Sequence, residues 1–217
     1  MEYLRKFETK ADINIDVKPN VVLVGDTGKV VYNSFKGVFI QHIDGTLYTT
    51  DEWTAQGFAS DQANGVAVGN GVVKFVVAKT YGSNLKWSSD TSNAIEGIML
   101  TDDSTIAKTD YAGVMNTMRM PRLDENNAAS YCLNYVFPNG KNGYLPSAGE
   151  MNVANGYSTS IDNAMSLIGG IKYSGKYYWT STQVSATLAW VPYNAGYRWD
   201  TVGKGATYAS SRPFLEI

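Results

Sequence analysis

Gly143-Tyr144-Leu145-Pro146-Ser147-Ala148-Gly149-Glu150-Met151 decides how the rest of the chain is read. Ser147 and Glu150 stand three apart, the spacing at which a hydroxyl and a carboxylate cap each other's backbone amides, so a helix is predicted to start after Pro146. Asp162 offers a cap for a further helix running through Leu167. Upstream, two more helices are expected over 110–118 and 126–135, each behind polar cap candidates. The second of these puts Ala128, Tyr131, Cys132 and Tyr135 on one face at three- and four-residue spacing, and Pro138 stops it.

Strand signals lie on both sides of these helices. Residues 37–43 and 71–78 read as strands, the second apolar enough to lie centrally in a sheet. Between them Thr50-Asp51-Glu52-Trp53 is an N-cap-like start that opens either a short helix or a loop. After residue 170 the pattern is strand and turn, over 177–182, 187–191, 206–209 and 213–215. Helices in the middle and hairpins at the end predict an α+β domain beginning near Ser34. Ahead of it, Val21-Val22-Leu23-Val24 and Lys29-Val30-Val31-Tyr32 flank Gly25-Asp26-Thr27-Gly28 and read as a hairpin. The first 17 residues, charged and weakly patterned, read as an arm ordered by a partner. The expected division is therefore an arm and β-hairpin over 1–33 and one domain over 34–217.

With 217 residues and 44% hydrophobic content, the chain is long enough for one domain of about 150–180 residues plus a small appendage. Its 18 basic and 20 acidic residues nearly cancel without a run of one sign, which argues against nucleic acid as a partner. The N-terminus lacks the apolar stretch of a secretory signal, and no segment approaches the roughly 20 apolar residues needed for membrane insertion. The single cysteine cannot form an internal disulfide, as expected of a protein that matures in a reducing cytoplasm; a processed fragment also fits.

Enzymatic chemistry finds little to use. A Cys–His nucleophile pair would need both Cys132 and His42, one on the apolar face of a helix and the other inside a strand. Soft ligands are too few for zinc. Gly65-Val66-Ala67-Val68-Gly69-Asn70-Gly71 lacks the following Lys-Ser/Thr of a phosphate loop. Asp102-Asp103 and Asp124-Glu125 are adjacent acids that point apart, better read as loop acids capping helices at Asp110 and Asn126 than as a glycosidase pair. No catalytic residue, metal site or cofactor is expected. The high tyrosine content (15 residues) suits a recognition surface, since an aromatic ring with a polar tip gives contact area for little entropy. The best candidate for ligand binding is the loop 193–200, with Tyr193, Asn194, Tyr197, Arg198, Trp199 and Asp200. Tyr197 or Trp199 would stack on a sugar ring or fill a protein groove, and Arg198 and Asp200 would give directional hydrogen bonds. Subunit packing is an equal use for the same residues.

Ala128-Ala129-Ser130-Tyr131-Cys132, the stretch 143–151, Tyr178-Trp179-Thr180-Ser181-Thr182, Ala189-Trp190 and Arg212-Pro213-Phe214 occur in an order that resembles C-type-lectin-like domains of gut Bacteroidota and their phages. The resemblance covers residues 36 to 217. It implies two helices beside a small twisted sheet, a long loop region for ligand contacts, and Trp179, Trp190 and Phe214 in the core. Sugar-binding members hold calcium through a Glu-Pro-Asn or Gln-Pro-Asp loop; neither tripeptide is present, so any ligand would be held by packing and hydrogen bonds. The formylglycine-generating enzymes, which share a related fold, need more than one cysteine and are less similar. The segment from Pro19 to Asn33 resembles the opening of virion proteins from Bacteroides phages, including crAss-like phages. That likeness implies a head or tail fibre, capsid or tail proteins as partners of the N-terminal segment, a homotrimer, and an outward domain that binds a host-surface glycan or protein or decorates the particle. The alternative setting is the bacterial cell surface, as an adhesin or pilus-tip domain whose signal has been removed.

Overall fold

Glycine at two positions lets the central strand of the sheet sit where a larger residue would collide. The computed structural model describes residues 34–121, 126–193 and 198–217, together with the backbone of strands β1 (Val21–Val24) and β2 (Lys29–Tyr32). The chain divides into two units, residues 1–33 and 34–217. In the first, β1 and β2 pair antiparallel, with Val21 opposite Tyr32 and Val24 opposite Lys29. The expected turn at 25–28 and the arm lie outside the described residues.

The second unit is a mixed α+β domain. Its antiparallel sheet holds β3 (Lys36–His42), β4 (Leu47–Tyr48), β5 (Ala63–Asn70), β6 (Lys74–Val77) and β9 (Phe214–Glu216), in the order β4-β3-β5-β6-β9. The middle strand is β5, buried from Ala63 to Gly69; the segment 71–78 is strand over 74–77 and lies, as expected, inside the sheet, between β5 and β9. Glycines lower strand propensity, but in an interior strand they mark a close backbone approach. A Cβ on Gly65 would lie 2.5 Å from the Val77 carbonyl oxygen, and one on Gly69 would lie 2.6 Å from that of Phe35. The stretch set aside as a phosphate loop is largely this buried strand.

Helix α1 (Thr50–Gln56) resolves the helix-or-loop alternative. Its cap is Thr49, whose hydroxyl accepts from the Glu52 amide while the Glu52 carboxylate accepts from the Thr49 amide, and Gly57 ends it at φ 66°. Trp53 is its buried anchor, 4.9 Å ring to ring from Phe58. The helix expected over 110–118 is present as α3 (Gly113–Arg119), and a short helix that was not expected, α2 (Ser104–Ala107), precedes it. Asp103 caps α2, its carboxylate accepting from the Thr105 amide at 2.7 Å. Asp110 stays outside both helices because its carboxylate is drawn inward, accepting from Asn116 at 2.9 Å and Thr182 at 2.6 Å. Helix α4 (Ala128–Asn134), expected to begin at Asn126, is capped by Asn127 and buries Ala128, Ala129, Ser130 and Cys132, with Tyr131 half-buried.

Helix α5 (Ala148–Gly156) starts with the reciprocal Ser147–Glu150 cap. Helix α6 (Ser158–Leu167) follows at once, so Asp162 lies inside it and does not cap it. Its carboxylate instead accepts from the Tyr173 and Ser174 amides and so fastens the loop behind the helix. Both helices pack on the sheet, with Met151, Ala154, Ile161, Ala164 and Met165 against Val66, Val68, Phe75 and Phe214. Among the described residues no helix is long and apolar enough to cross a membrane.

A second core forms around Trp87, Trp179, Cys132, Leu145, Ala189, Val191 and Val202, under the two-stranded ribbon β7 (Leu188–Tyr193) and β8 (Arg198–Gly203). Trp179, Trp190 and Phe214 are all buried. The expected strand at 177–182 is reduced to isolated bridges at Tyr177 and Tyr178, and 206–209 is not strand, since the bridges on that side fall just after it at Ser210 and Ser211. The long irregular region ahead of α2 is held by side chains. Gln183 accepts from the Ile95 amide and from Lys204 Nζ, both at 2.8 Å, and donates to the carbonyls of Ile95 at 2.9 Å and Ile98 at 3.3 Å. Lys204 also donates to the Asn93 carbonyl and lies 4.5 Å from the Trp87 ring, and burial brings its ammonium down to about 8. Gln183→Leu removes a donor and an acceptor from a site closed to water, so it is expected to destabilise by about 2–3 kcal/mol. Limited proteolysis of that variant should open a cleavage site within residues 88–99, and wild-type resistance there would show that Gln183 is not what fastens the loop.

Candidate functional site

The register of the β7–β8 ribbon separates the candidate residues. Tyr193 lies opposite Arg198 and Val191 opposite Asp200, while Pro192 lies opposite Trp199. Directly paired residues share a face and successive residues alternate, so Tyr193, Arg198 and Asp200 belong to one face and Trp199 to the other. Asn194 and Tyr197 lie outside the described residues.

Trp199 turns towards the protein. It meets Trp190 edge to face at 6.1 Å and joins a small cluster with Ala107, Ala148, Val184 and Leu188, with Lys108 Nζ 5.0 Å from its ring. The face with Arg198 is anchored at its inner end by Ala189, Val191 and Val202 in the second core. At its outer end an isolated bridge joins Tyr177 to Tyr193, whose rings are 4.7 Å apart, and Tyr208 meets Tyr177 edge to face at 6.1 Å. Arg198 Nε donates to Asp200 Oδ1 at 2.8 Å, and this bond raises the guanidinium pKa above its ordinary value. The Arg198 side chain is 69% exposed and Tyr208 is 62% exposed. Partial burial, with Asp200 and Tyr177 nearby, pushes the Tyr208 hydroxyl up.

Three tyrosines and one ion pair therefore make a single surface patch on a ribbon fastened to the core. Tyr177 and Tyr208 were read as strand residues in the sequence. Their only sequence signal is the abundance of tyrosine, because positions 177, 193 and 208 are brought together by bridges between segments that local periodicity does not connect.

Glu150, Asp110 and Cys132 are enclosed. Glu150 accepts from the Ser147 amide at 2.8 Å and the Tyr144 hydroxyl at 3.0 Å and lies 2.9 Å from the Ser147 hydroxyl, and burial pushes its carboxyl up to about 7. Asp110, Asn116, Ser147 and Thr182 beside it are buried too. This network joins α3, α5 and the segment at 180–182, and it offers no open face to a substrate. Cys132 is buried in the second core, and burial pushes its thiol well up. A thiol so placed is a poor nucleophile. His42 packs against Tyr48, Trp53 and Phe58 and lies 3.1 Å from Asp44. Among the described residues, no group of three or more His, Cys, Asp or Glu side chains is placed to hold a metal ion. Asp124-Glu125 lies outside the described residues. Comparison with protein-family models, with curated proteins and with solved structures finds no match for this chain.

Proposed function

We propose that this protein is a non-enzymatic component of a phage virion, a head or tail fibre or appendage, whose C-type-lectin-like domain recognises the host surface. The observation that carries the recognition role is the exposed patch of Tyr177, Tyr193, Tyr208, Arg198 and Asp200 on a ribbon rooted in the core. Aromatic and arginine side chains together are the types enriched at binding hot spots, and a rigid support keeps the entropy lost on binding small. The lectin-like reading is supported by α5 and α6 against a small sheet whose C-terminal strand β9 lies beside β6, and by the long side-chain-fastened loops around the ribbon. The virion reading rests on the likeness of residues 19–33 to phage virion proteins. An antiparallel β1–β2 pair is consistent with it, because an isolated two-stranded hairpin is marginal in water and calls for a docking partner. On this reading residues 1–33 attach the protein to capsid or tail proteins, three copies assemble, and residues 34–217 face outward.

Cross-linking mass spectrometry of intact particles tests this directly. Links from Lys10, Lys18 or Lys29 to capsid or tail proteins are expected, with the ribbon around residues 193–200 open to solvent. Absence of the protein from particles would transfer it to the second setting, a bacterial surface adhesin, for which a secretion signal or lipobox upstream in the full gene is the distinguishing feature.

A further inference from the structure

We infer that the ribbon patch binds a neutral sugar ring, and that Tyr177 and Tyr208, with Arg198 and Asp200, make the contact while Trp199 does not. The inference rests on the recognition role proposed above and names its ligand class. The electrostatics point to an uncharged ligand. Arg198 is matched by Asp200 through the 2.8 Å Nε–Oδ1 bond, so the patch brings one positive and one negative group and no net charge to select an ion. The same pair leaves donors and acceptors side by side. Among the described residues the two terminal guanidinium nitrogens of Arg198 and Asp200 Oδ2 make no hydrogen bond, so they offer N–H groups and a lone-pair oxygen to one ligand. Neighbouring sugar hydroxyls need that combination, since each both donates and accepts.

The tyrosines supply the complementary apolar contact. Tyr193 is tilted 35° to Tyr177, and Tyr208 stands at 89° to Tyr177, so the three rings form a faceted surface in place of a flat stack. An aromatic face meets the C–H face of a sugar ring, and a phenolic tip adds a hydrogen bond at the rim. Trp199, one of the two residues that the sequence offered for stacking, is held on the opposite face against Trp190 and Lys108.

The test is a printed glycan array probed with the full-length protein, followed by titration of the best neutral hit and by the same measurements on variants. Wild type is expected to bind neutral glycans. Tyr208→Ala and Arg198→Ala should each weaken binding about tenfold or more, and Trp199→Phe should leave it within about twofold. Tyr208 and Arg198 are exposed, and unchanged thermal melting of their variants will show that the fold is intact. Binding confined to sialylated or sulfated glycans, no binding to neutral glycans, or binding that survives Tyr208→Ala each overturns the inference. Attachment of particles carrying Tyr208→Ala separates the two levels. Lost attachment without glycan binding makes the partner a protein and keeps the recognition role, whereas unchanged attachment together with an empty array removes both.

Discussion

Between pH 5 and pH 8 the folded protein is expected to lose about 2–3 kcal/mol of stability through Glu150 alone, and Glu150→Gln is expected to abolish that loss. The cause is burial of a carboxyl that has no cation beside it among the described residues. Its pKa is raised from 4.5 to about 7, with Asp110 adding to the rise and the Ser147 and Tyr144 hydrogen bonds opposing it. Below about pH 4.5 the group is protonated in both folded and unfolded chains and contributes no difference. Above that value the unfolded chain gives up the proton while the folded chain keeps it, so stability falls until the pH passes about 7, where the folded carboxyl ionises as well.

Hydrogen counting favours the same protonation. The single Ser147 hydroxyl proton lies within reach of both the Asp110 carbonyl oxygen at 2.7 Å and Glu150 Oε2 at 2.9 Å. Both contacts are hydrogen bonds only if Glu150 carries its proton and donates to Ser147, which then donates to Asp110. Of the groups that face Glu150, Asp110 is hydrogen-bonded to Asn116 and Thr182, and the Tyr144 hydroxyl is held well above its ordinary value by burial and by Glu150 and so keeps its proton across this range. Urea denaturation across this pH range is the measurement. A Glu150→Gln protein that keeps the wild-type slope would place the titrating group elsewhere.

The second large effect is expected at Arg212. Its guanidinium is fully buried and donates to three backbone carbonyls, those of Ala78 at 3.2 Å, Ile171 at 2.8 Å and Lys172 at 2.9 Å. Tyr81, Tyr173 and Tyr178 surround it at 5.4 to 6.0 Å, and burial pushes the Tyr178 hydroxyl up to about 12. No carboxylate pairs with it among the described residues, so carbonyl dipoles and ring faces bear the whole charge. Arg212→Met nearly fills the volume but leaves the three carbonyls without their donor in a dry site, and a loss of about 3–5 kcal/mol follows. Arg212→Ala adds a cavity and should lose more. Equilibrium unfolding of the methionine variant decides the point, since a loss below about 1 kcal/mol would mean that water enters and replaces the guanidinium.

Some of this protein is written in short stretches of its chain. The Ser147–Glu150 cap, the entry to α1 at Thr49 and Glu52, the buried placement of Cys132 on α4 and the pairing of β1 with β2 each depend on residues a few positions apart. Local chemistry is enough for those, because a cap or a hairpin closes within one or two turns of chain. The order of such elements sufficed to predict an α+β domain.

Other features exist only after distant segments meet. Gly65 and Gly69 carry no strand signal by themselves, and their place is set by Val77 and Phe35, which press against them in the sheet. Asp110 reads as the start of a helix and Asp162 as a cap, but they become a buried and a loop-fastening acceptor, because Thr182 and Ser174 approach from beyond their own helices. Arg198, Trp199 and Asp200 are neighbours in sequence, yet strand alternation sends Trp199 inward while Tyr177 and Tyr208 arrive on the other face to complete the patch. Sequence alone determined which residue types were available for recognition. Tertiary structure decided which of them share a surface, because a strand's two faces and its bridging partners are set by the fold and not by proximity along the chain.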